Sequence, residues 1–557
     1  MTDVRFVWRA TMTYKENQSK LNRVTSARRP ITELVGDIQR LTEEIQALYC
    51  SDAVPWVVGY SGGKDSSAVL QLVWNAISHL APEKRIKRIH VISTDTLVEN
   101  PVVSAWVRHS LERIQESAQQ QGLPITPHLL HPEIKDTFWV NLIGRGYPAP
   151  RNKFRWCTER LKIQPANRFI REMVRMNGET ILVLGTRKAE SVKRAATMAK
   201  HAEGRVRERL SPNASLPNSL IYSPIEDWTD DEVWTYLMQV SNPWGHSNKE
   251  LLAMYKGATA DNDCPLVVDT STPSCGNSRF GCWVCTMVTQ DKSMAAMIQN
   301  DEEKAWMEPL LKIRNELDVQ DDKDRRDFRR MNGSVQLFER KAEDGTLEVV
   351  PIPGPYRKEW REYWLRLVLE TQTYIRQTGP EHVRDLELIT MAELREIRRI
   401  WLYEKYEFED SLPRIYQQAT GLEFPGVDFG SNSQILGSDE WEVLLEVCGD
   451  DAMHMELMAK LLGTEQKYRM MARRAGIYGA LESCFKSSSL TQTQAVDQAK
   501  QLYNLKNAIN QGDIMEVKKQ LFPEETSHSA SQQLSWANLK YGIGSFNPEF
   551  ELEDKYN

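Results

Sequence analysis

No stretch of this 557-residue sequence approaches the roughly 20 consecutive apolar residues that a membrane-crossing helix needs. The polar stretch from Met1 to Arg28 holds several Lys and Arg but lacks the apolar h-region of a signal peptide. A cytoplasmic address with no membrane partner is therefore expected. A global excess of positive charge is also missing: the net charge is −7. That removes a basic field over the whole surface as an argument for nucleic-acid binding, but leaves room for a local basic stripe. No internal repeat is present, which sets repeat architectures aside.

What is there is ordinary for a globular chain: 41% hydrophobic and 26% charged residues. The length suggests about three or four domains. Ile38, Leu41, Ile45 and Leu48 are spaced for one face of a helix. The apolar run Trp56-Val57-Val58 then ends in Gly59-Tyr60-Ser61-Gly62-Gly63, and Ala68, Val69, Leu72, Val73, Ala76, Ile77 and Leu80 define a following helix. Ile89–Ile92, Ile125–Leu130 and Ile181–Leu184 are further strand candidates, with helices after Pro101 and near Pro165–Met176. Strands alternating with helices predict an α/β fold, a doubly wound parallel sheet over residues 35–245, behind an N-terminal extension at 1–34. Ligands of such sheets sit beyond the strand C-termini, where Ser61, Asp95 and Gly185 fall. Residues 246–290 are expected to be a Cys-rich loop, 291–523 a helical region, and 524–557 a polar tail.

Ser61-Gly62-Gly63-Lys64-Asp65-Ser66 lies between a strand and a helix. Glycines let a backbone approach an anion, a helix N-terminus attracts one, and Lys64 adds a full charge. The run is not a Walker A loop, because Val58 stands where its first glycine belongs and Asp65 where its Ser or Thr belongs. Asp65 is read either as an aid to a metal or as a helix cap.

The eight cysteines are Cys50, Cys157, Cys264, Cys275, Cys282, Cys285, Cys448 and Cys484. Cys264-x10-Cys275-x6-Cys282-x2-Cys285 crowd a glycine-rich loop, a pattern that fits a tetrahedral zinc or a [4Fe–4S] cluster and does not separate them. Cys157 lies apart, among Arg155, Arg160 and Lys162, whose charges are expected to favour its thiolate. Cys50, Cys448 and Cys484 sit in helical patterns and read as small buried hydrophobes.

In its context, the Ser-Gly-Gly-Lys-Asp-Ser run resembles the PP-loop of ATP pyrophosphatases. Ser93-Thr94-Asp95-Thr96, Gly185-Thr186-Arg187 with Glu190, Ser191 and Arg194, and Pro224-Ile225-Glu226-Asp227-Trp228-Thr229 resemble segments of sulfonucleotide (PAPS) reductases. The last block also reads structurally, as a helix cap by Thr229 or Asp227 with packed tryptophans. With Arg155–Lys162 and the late cysteines, the set is similar to the DndC-type sulfurtransferases of bacterial DNA phosphorothioation systems. The likeness covers about residues 55–290. The chain departs from assimilatory reductases in its length and in lacking a Glu-Cys-Gly segment near its end.

The resemblance implies an enzyme that binds ATP and Mg²⁺ through Ser61, Gly62, Gly63, Lys64, Asp65, Ser66, Asp95, Gly185 and Arg187. It further implies a [4Fe–4S] cluster on Cys264, Cys275, Cys282 and Cys285, with Cys157 as persulfide carrier or as an alternative cluster ligand. DNA, a cysteine desulfurase and the other subunits of the modification complex are the implied partners. Lys193, Arg194, Lys200, Arg205, Arg207 and Arg209 form one candidate DNA-contacting stripe, and Arg325, Arg326, Arg329 and Arg330 a second. The rivals are a tRNA-thiolating PP-loop enzyme, a sulfonucleotide reductase, and a non-enzymatic scaffold with a vestigial nucleotide site.

Overall fold

The computed structural model describes residues 30–258 and 280–517, apart from 152–153, 193–194, 197, 200–208, 214, 320, 342–344, 427–437, 470, 489 and 516. Cys264 and Cys275 therefore lie outside the described residues, as do Lys193, Arg194, Lys200, Arg205 and Arg207 of the first basic stripe and all of the 524–557 tail.

The first helix, α1 (Ile31–Cys50), buries Leu34, Leu41, Ile45 and Tyr49 and packs against the third element. Next come β1 (Trp56–Gly59) and α2 (Lys64–Ser78), then β2 (Ile89–Thr94), α3 (Pro101–Gln120) and β3 (Ile125–Leu130). They are followed by α4 (Gln164–Asn177), β4 (Thr180–Val183), β5 (Ser211–Pro212) and β6 (Ser219–Tyr222). The sheet order is β3-β2-β1-β4-β6-β5, parallel except for the short edge strand β5. The α/β expectation is borne out; the β5–β6 edge was not foreseen, since two residues carry no periodicity.

Register follows the pleat. Val57 pairs with His90 on one side and Leu182 on the other. Trp56 and Val58 point into a large core with α1, α2 and α3, while Val57, Ile92 and Leu182 point into a smaller one with Ile170 and Met173 of α4. Both faces are therefore covered, and β1 is apolar at every position rather than alternating. Full burial of Trp56, Val57 and Val58 contributes roughly 2 kcal/mol each. The chain runs outward from β1 through β2 and β3, then returns to place β4 on the other side. The crevice for a ligand opens at that reversal.

Two helices, α5 (Asp230–Gln239) and α6 (Asn248–Gly257), complete this half. Thr229 caps α5 through a reciprocal pair with Glu232, and Trp228 and Trp234 are buried, as the structural reading of that block requires. Beyond residue 290 come α7 (Lys292–Asn300), α8 (Glu308–Leu317), a hairpin of β7 (Leu337–Lys341) and β8 (Leu347–Pro351), then α9 (Lys358–Thr378), α10 (Met391–Tyr403) and α11 (Ser411–Thr420). The helical expectation holds there except for the hairpin. The remaining helices are α12 (Ser438–Cys448), α13 (Ala452–Arg469), α14 (Ile477–Ser488) and α15 (Gln492–Gln511). None of the described helices is long and apolar enough to cross a membrane.

A second core joins α7–α11 to residues 138–161, which leave the α/β half to enter it. Trp139 donates its indole N–H to the Leu388 carbonyl at 2.7 Å, and Trp401 donates to that of Ile143 at 3.1 Å. Trp283 and Val284 are buried in the same core. The loop around Cys282 is thus organised, over its described part, by protein packing.

Candidate functional site

Backbone geometry shapes the loop after β1 first. Gly62 has φ +71°, and a Cβ there would fall 2.6 Å from Val107 Cγ2. Ser66 donates its hydroxyl to the Gly63 carbonyl at 3.0 Å and accepts the Ser61 N–H at 3.2 Å, closing the loop on itself. Trp106 donates its indole N–H to the Gly62 carbonyl at 3.1 Å, and the Lys64 N–H donates to the Tyr255 hydroxyl at 3.4 Å. At the end of β4, a Cβ on Gly185 would come within 2.9 Å of the Asp65 carbonyl, so glycine is what lets β4 lie against the start of α2.

A cavity of about 810 Å³ opens over this loop and reaches Asp95, Arg108, Lys162, Gly185 and Phe280. Four charges meet on its floor. Lys64 Nζ lies 3.1 Å from Asp65 and 3.4 Å from Asp230. Arg187, 1% exposed, holds Asp65 at 2.8 Å, pairs closely with Asp230, and donates to the Trp228 carbonyl at 3.1 Å. Burial pushes the Asp230 carboxyl up, but Lys64 and Arg187 outweigh it and hold it below the usual carboxylate range. Asp65 is not a helix cap, because Gly63 occupies that position. The two cations and two carboxylates cancel, leaving a neutral, pre-ordered floor.

Asp95 is buried, accepts the Leu97 N–H at 2.9 Å and pairs with Arg108 at 2.9 Å. That turn holds Leu97 at φ +65°, a conformation uncommon outside glycine, where strain tends to mark functional backbone. Of the predicted nucleotide-site residues, Ser61, Gly62, Gly63, Lys64, Asp65, Ser66, Asp95, Gly185 and Arg187 all line this one cavity. Sequence reasoning missed Asp230, Tyr255, Trp106 and Arg108. Asp230 was concealed by its place in the acidic first turn of α5, where a carboxylate reads as a dipole partner.

The cysteine wall adjoins the cavity. Cys282 bridges Glu99 in an antiparallel pair, and the Trp283 N–H donates to the Val98 carbonyl at 2.9 Å. The Cys282 thiol lies 3.4 Å from the Thr96 hydroxyl and 3.8 Å from Glu99, which pairs with Lys162 at 3.0 Å. Burial pushes the Cys282 thiol up to about 12, with Glu99 adding to the rise and Lys162 opposing it. Lys162 is raised above its ordinary value, first by Cys282 and against its own desolvation, then by Glu99. Cys157 departs from expectation: burial pushes its thiol up, and Cys285 lies close enough to raise it further. The neighbouring cations serve other partners, Arg160 binding Asp136 at 2.7 Å and Lys162 binding Glu99. Cys157, Cys282 and Cys285 are thus electrostatic neighbours, although among the described residues no three His, Cys, Asp or Glu side chains form a ready metal cage. Cys448 and Cys484 are buried as expected, whereas Cys50 is exposed, because it ends α1 on its outer side.

Of the second basic stripe, Arg326 donates to the Pro353 and Gly354 carbonyls, and Arg329 pairs with Asp327 and Glu456 at 3.0 and 2.9 Å. Arg325 stacks 4.1 Å above Trp360. These three side chains hold the fold around them and do not form a free basic face.

A family model described as phosphoadenosine phosphosulfate reductase domain matches residues 55–287, from β1 past Cys285. Over that stretch the chain is similar to the PAPS reductase domain. An uncharacterized protein of Methanocaldococcus jannaschii is 28% identical over 190 residues, 34% of this chain and 32% of that protein, so the match spans about a third of the relative's length. Among solved structures, PAPS reductase from Candida auris is 13% identical, with 38% of this chain and 88% of that chain covered and a TM-score of 0.24. The U34-tRNA thiolase NcsA from Methanococcus maripaludis with its [4Fe–4S] cluster is 14% identical, with 39% and 71% covered and a TM-score of 0.25. FMN adenylyltransferase from Candida glabrata is 12% identical, with 43% and 67% covered and a TM-score of 0.23.

Proposed function

We propose that this chain is an ATP-dependent sulfurtransferase of the DndC type, which adenylates a DNA backbone phosphate oxygen and replaces that oxygen with sulfur. The observation that carries the reading is the shared cavity: a PP-loop floor at one end, and at the other the Glu99–Lys162 pair that touches Cys282. Activation and sulfur delivery then have a common space. The motif set of the sequence, from the Ser-Gly-Gly-Lys-Asp-Ser loop to the late cysteines, supports DNA phosphate as the acceptor.

In this mechanism a non-bridging oxygen of the DNA phosphate attacks the α-phosphorus of ATP, and pyrophosphate leaves. Lys64 and the loop clasped by Ser61 and Ser66 stabilise the charge gathering on pyrophosphate. Mg²⁺ would be held by the substrate phosphates, with Asp65 or Asp230 as the candidate protein oxygen. A terminal persulfide sulfur on Cys157, loaded by a cysteine desulfurase, attacks the DNA phosphorus and expels AMP. A second thiol then attacks the Cys157 sulfur, forming a disulfide and freeing the phosphorothioate. The other subunits of the modification complex would present the DNA.

The donor set fits an iron–sulfur centre in kind: Cys282 and Cys285 are separated by two residues, and Lys162 offsets thiolate charge. With Cys264 and Cys275 they would hold a [4Fe–4S] cluster, which when bound supplies a thiolate-ligated iron site.

The test is anaerobic incubation with ATP, Mg²⁺, cysteine, a desulfurase and DNA, then nuclease digestion and mass spectrometry. Phosphorothioate dinucleotides are expected, with pyrophosphate release that falls on the order of 10²–10³-fold in Lys64→Met. Thionucleosides from a parallel tRNA reaction, sulfite from PAPS, or no pyrophosphate under any condition would overturn the proposal in favour of one of its rivals.

A further inference from the structure

Arg314 of α8 is 1% exposed, yet every contact the structure gives its guanidinium fits a dedicated purpose. Its Nε donates to the Cys285 carbonyl at 2.9 Å, and one terminal nitrogen donates to the Thr289 carbonyl at 3.1 Å and to Asn315 Oδ1 at 3.0 Å. The other donates to the Val288 carbonyl and pairs with Asp318 at 3.1 Å. Three carbonyls of one five-residue stretch, 285–289, thus converge on one side chain. A planar guanidinium presents its donors in a fixed fork, so it fixes the direction of each carbonyl it binds, as a lysine ammonium cannot. The same stretch is tied from its other side: Thr286 donates its hydroxyl to the Pro150 carbonyl at 2.5 Å, and Trp283 packs 5.8 Å from Trp139.

From these contacts we infer that Arg314 is a positioning residue for the Cys282–Cys285 turn, and that the helical region beyond residue 290 serves as the second half of the cysteine site. Beyond the Thr286 hydroxyl and the Cys285 N–H, which donates to the Cys282 carbonyl at 3.0 Å, no regular structure orders residues 285–290: they form neither helix nor strand, and Met287 to Gln290 run as successive bends. Without Arg314, the carbonyl of half-buried Cys285 and those of exposed Val288 and Thr289 lose their shared donor together, and the fork that fixed their common direction is gone. The Cys285 backbone is then free to rotate, and its thiol leaves the position beside Cys157. The α/β half does not share this dependence, because the PP-loop is held by Ser66, Trp106 and Tyr255.

The inference rests on the sulfur-transfer reading only for what the turn carries. Arg314→Met keeps the aliphatic stem and removes all donors; Arg314→Lys keeps the charge near Asp318. Iron and acid-labile sulfide per chain are measured after anaerobic purification. The rate of iodoacetamide labelling is measured site by site on metal-free protein, with exposed Cys50 as internal reference and ATP affinity as a check on the α/β half. In Arg314→Met, labelling of Cys285 relative to Cys50 should rise by about tenfold, the scale set by losing one or two hydrogen bonds from a charged donor, while ATP affinity stays within about twofold. Iron content should fall in parallel, with Arg314→Lys between the two. If Arg314→Met does not fold, Arg314→Lys carries the same labelling test. Unchanged Cys285 labelling in the folded variants overturns the inference. Wild-type protein that never holds iron would count against the cluster reading, and the labelling ratio would still decide the role of Arg314.

Discussion

Replacing Arg187 by Met examines whether the neutral floor of the cavity is what receives a polyphosphate. In the native arrangement Lys64 and Arg187 balance Asp65 and Asp230, so removing one cation leaves a net charge of −1. A phosphate charge about 8 Å from that excess, at an effective permittivity near 20, is repelled by about 2 kcal/mol. ATP affinity should then weaken by about 30-fold. Stability should fall as well, by about 2–3 kcal/mol, because truncating one member of a part-buried charge network strands the others. Arg187→Lys should recover part of both, since it restores the charge but not the fork that joins Asp65, Asp230 and the Trp228 carbonyl.

Titration calorimetry at fixed Mg²⁺ measures the first effect and chemical denaturation the second. The acid limb gives an independent check. Asp230 is held below its ordinary value of 3.8 in the folded protein, so its pairing stabilises the fold above about pH 4 and is lost as pH falls through the folded value. With Arg187 gone, burial has less to oppose it, and acid unfolding should begin at a higher pH. An Arg187→Met protein that binds ATP within twofold of wild type and keeps its acid limb would refute the argument.

Gly185→Ala should separate β4 from the start of α2, because the new Cβ would press on the Asp65 carbonyl at 2.9 Å and the Ser66 nitrogen at 3.1 Å, both backbone. A cost of about 1–3 kcal/mol in denaturation and a loss of ATP binding are expected; unchanged binding would show that strand and helix can part without harm. His246 stacks on Trp106 at 4.5 Å, and burial, then His109 and Arg113, push its pKa down to about 4. Between pH 6.5 and 4 the unfolded chain therefore binds a proton that the folded chain refuses, and stability is lost as pH falls across that window. His246→Phe, which keeps a ring against Trp106, should flatten that part of a melting-temperature profile, and an unaltered slope would remove His246 from the explanation.

The sheet and the PP-loop were legible in the sequence because each is local. Trp56-Val57-Val58 is apolar at every position, as a doubly covered strand must be, and the glycines that follow permit a turn other residues do not allow. Arg187 was legible as a site residue but its partners were not. Asp65 was read as a cap or a metal aid, and Asp230 lay within a block whose capping and packing explained it completely. Both join through a contact across more than 40 positions of sequence, and no periodicity carries that. The thiol of Cys157 shows the same limit with the opposite sign. Three neighbouring cations in sequence suggested a thiolate, but Arg160 pairs with Asp136 and Lys162 with Glu99, and burial decides the pKa.

The cysteine loop is the more instructive case, because a stretch rich in Gly, Ser and Cys gives no hint of what packs on it. Two segments, 138–161 and 280–290, leave the α/β half and enter the core built by α7–α11. Each brings cysteine with it, Cys157 on the first and Cys282 with Cys285 on the second, so the thiols come together at the edge of that core. Glu99 and Lys162 stand beside Cys282 and also line the nucleotide cavity. A chain that needed only to bind and cleave a nucleotide could end its α/β half without crossing over at all. The two crossings have a physical cost in ordered loop and buried backbone, and what they achieve is to bring Cys282 against Glu99, which lines the cavity, with Cys285 and Cys157 beside it.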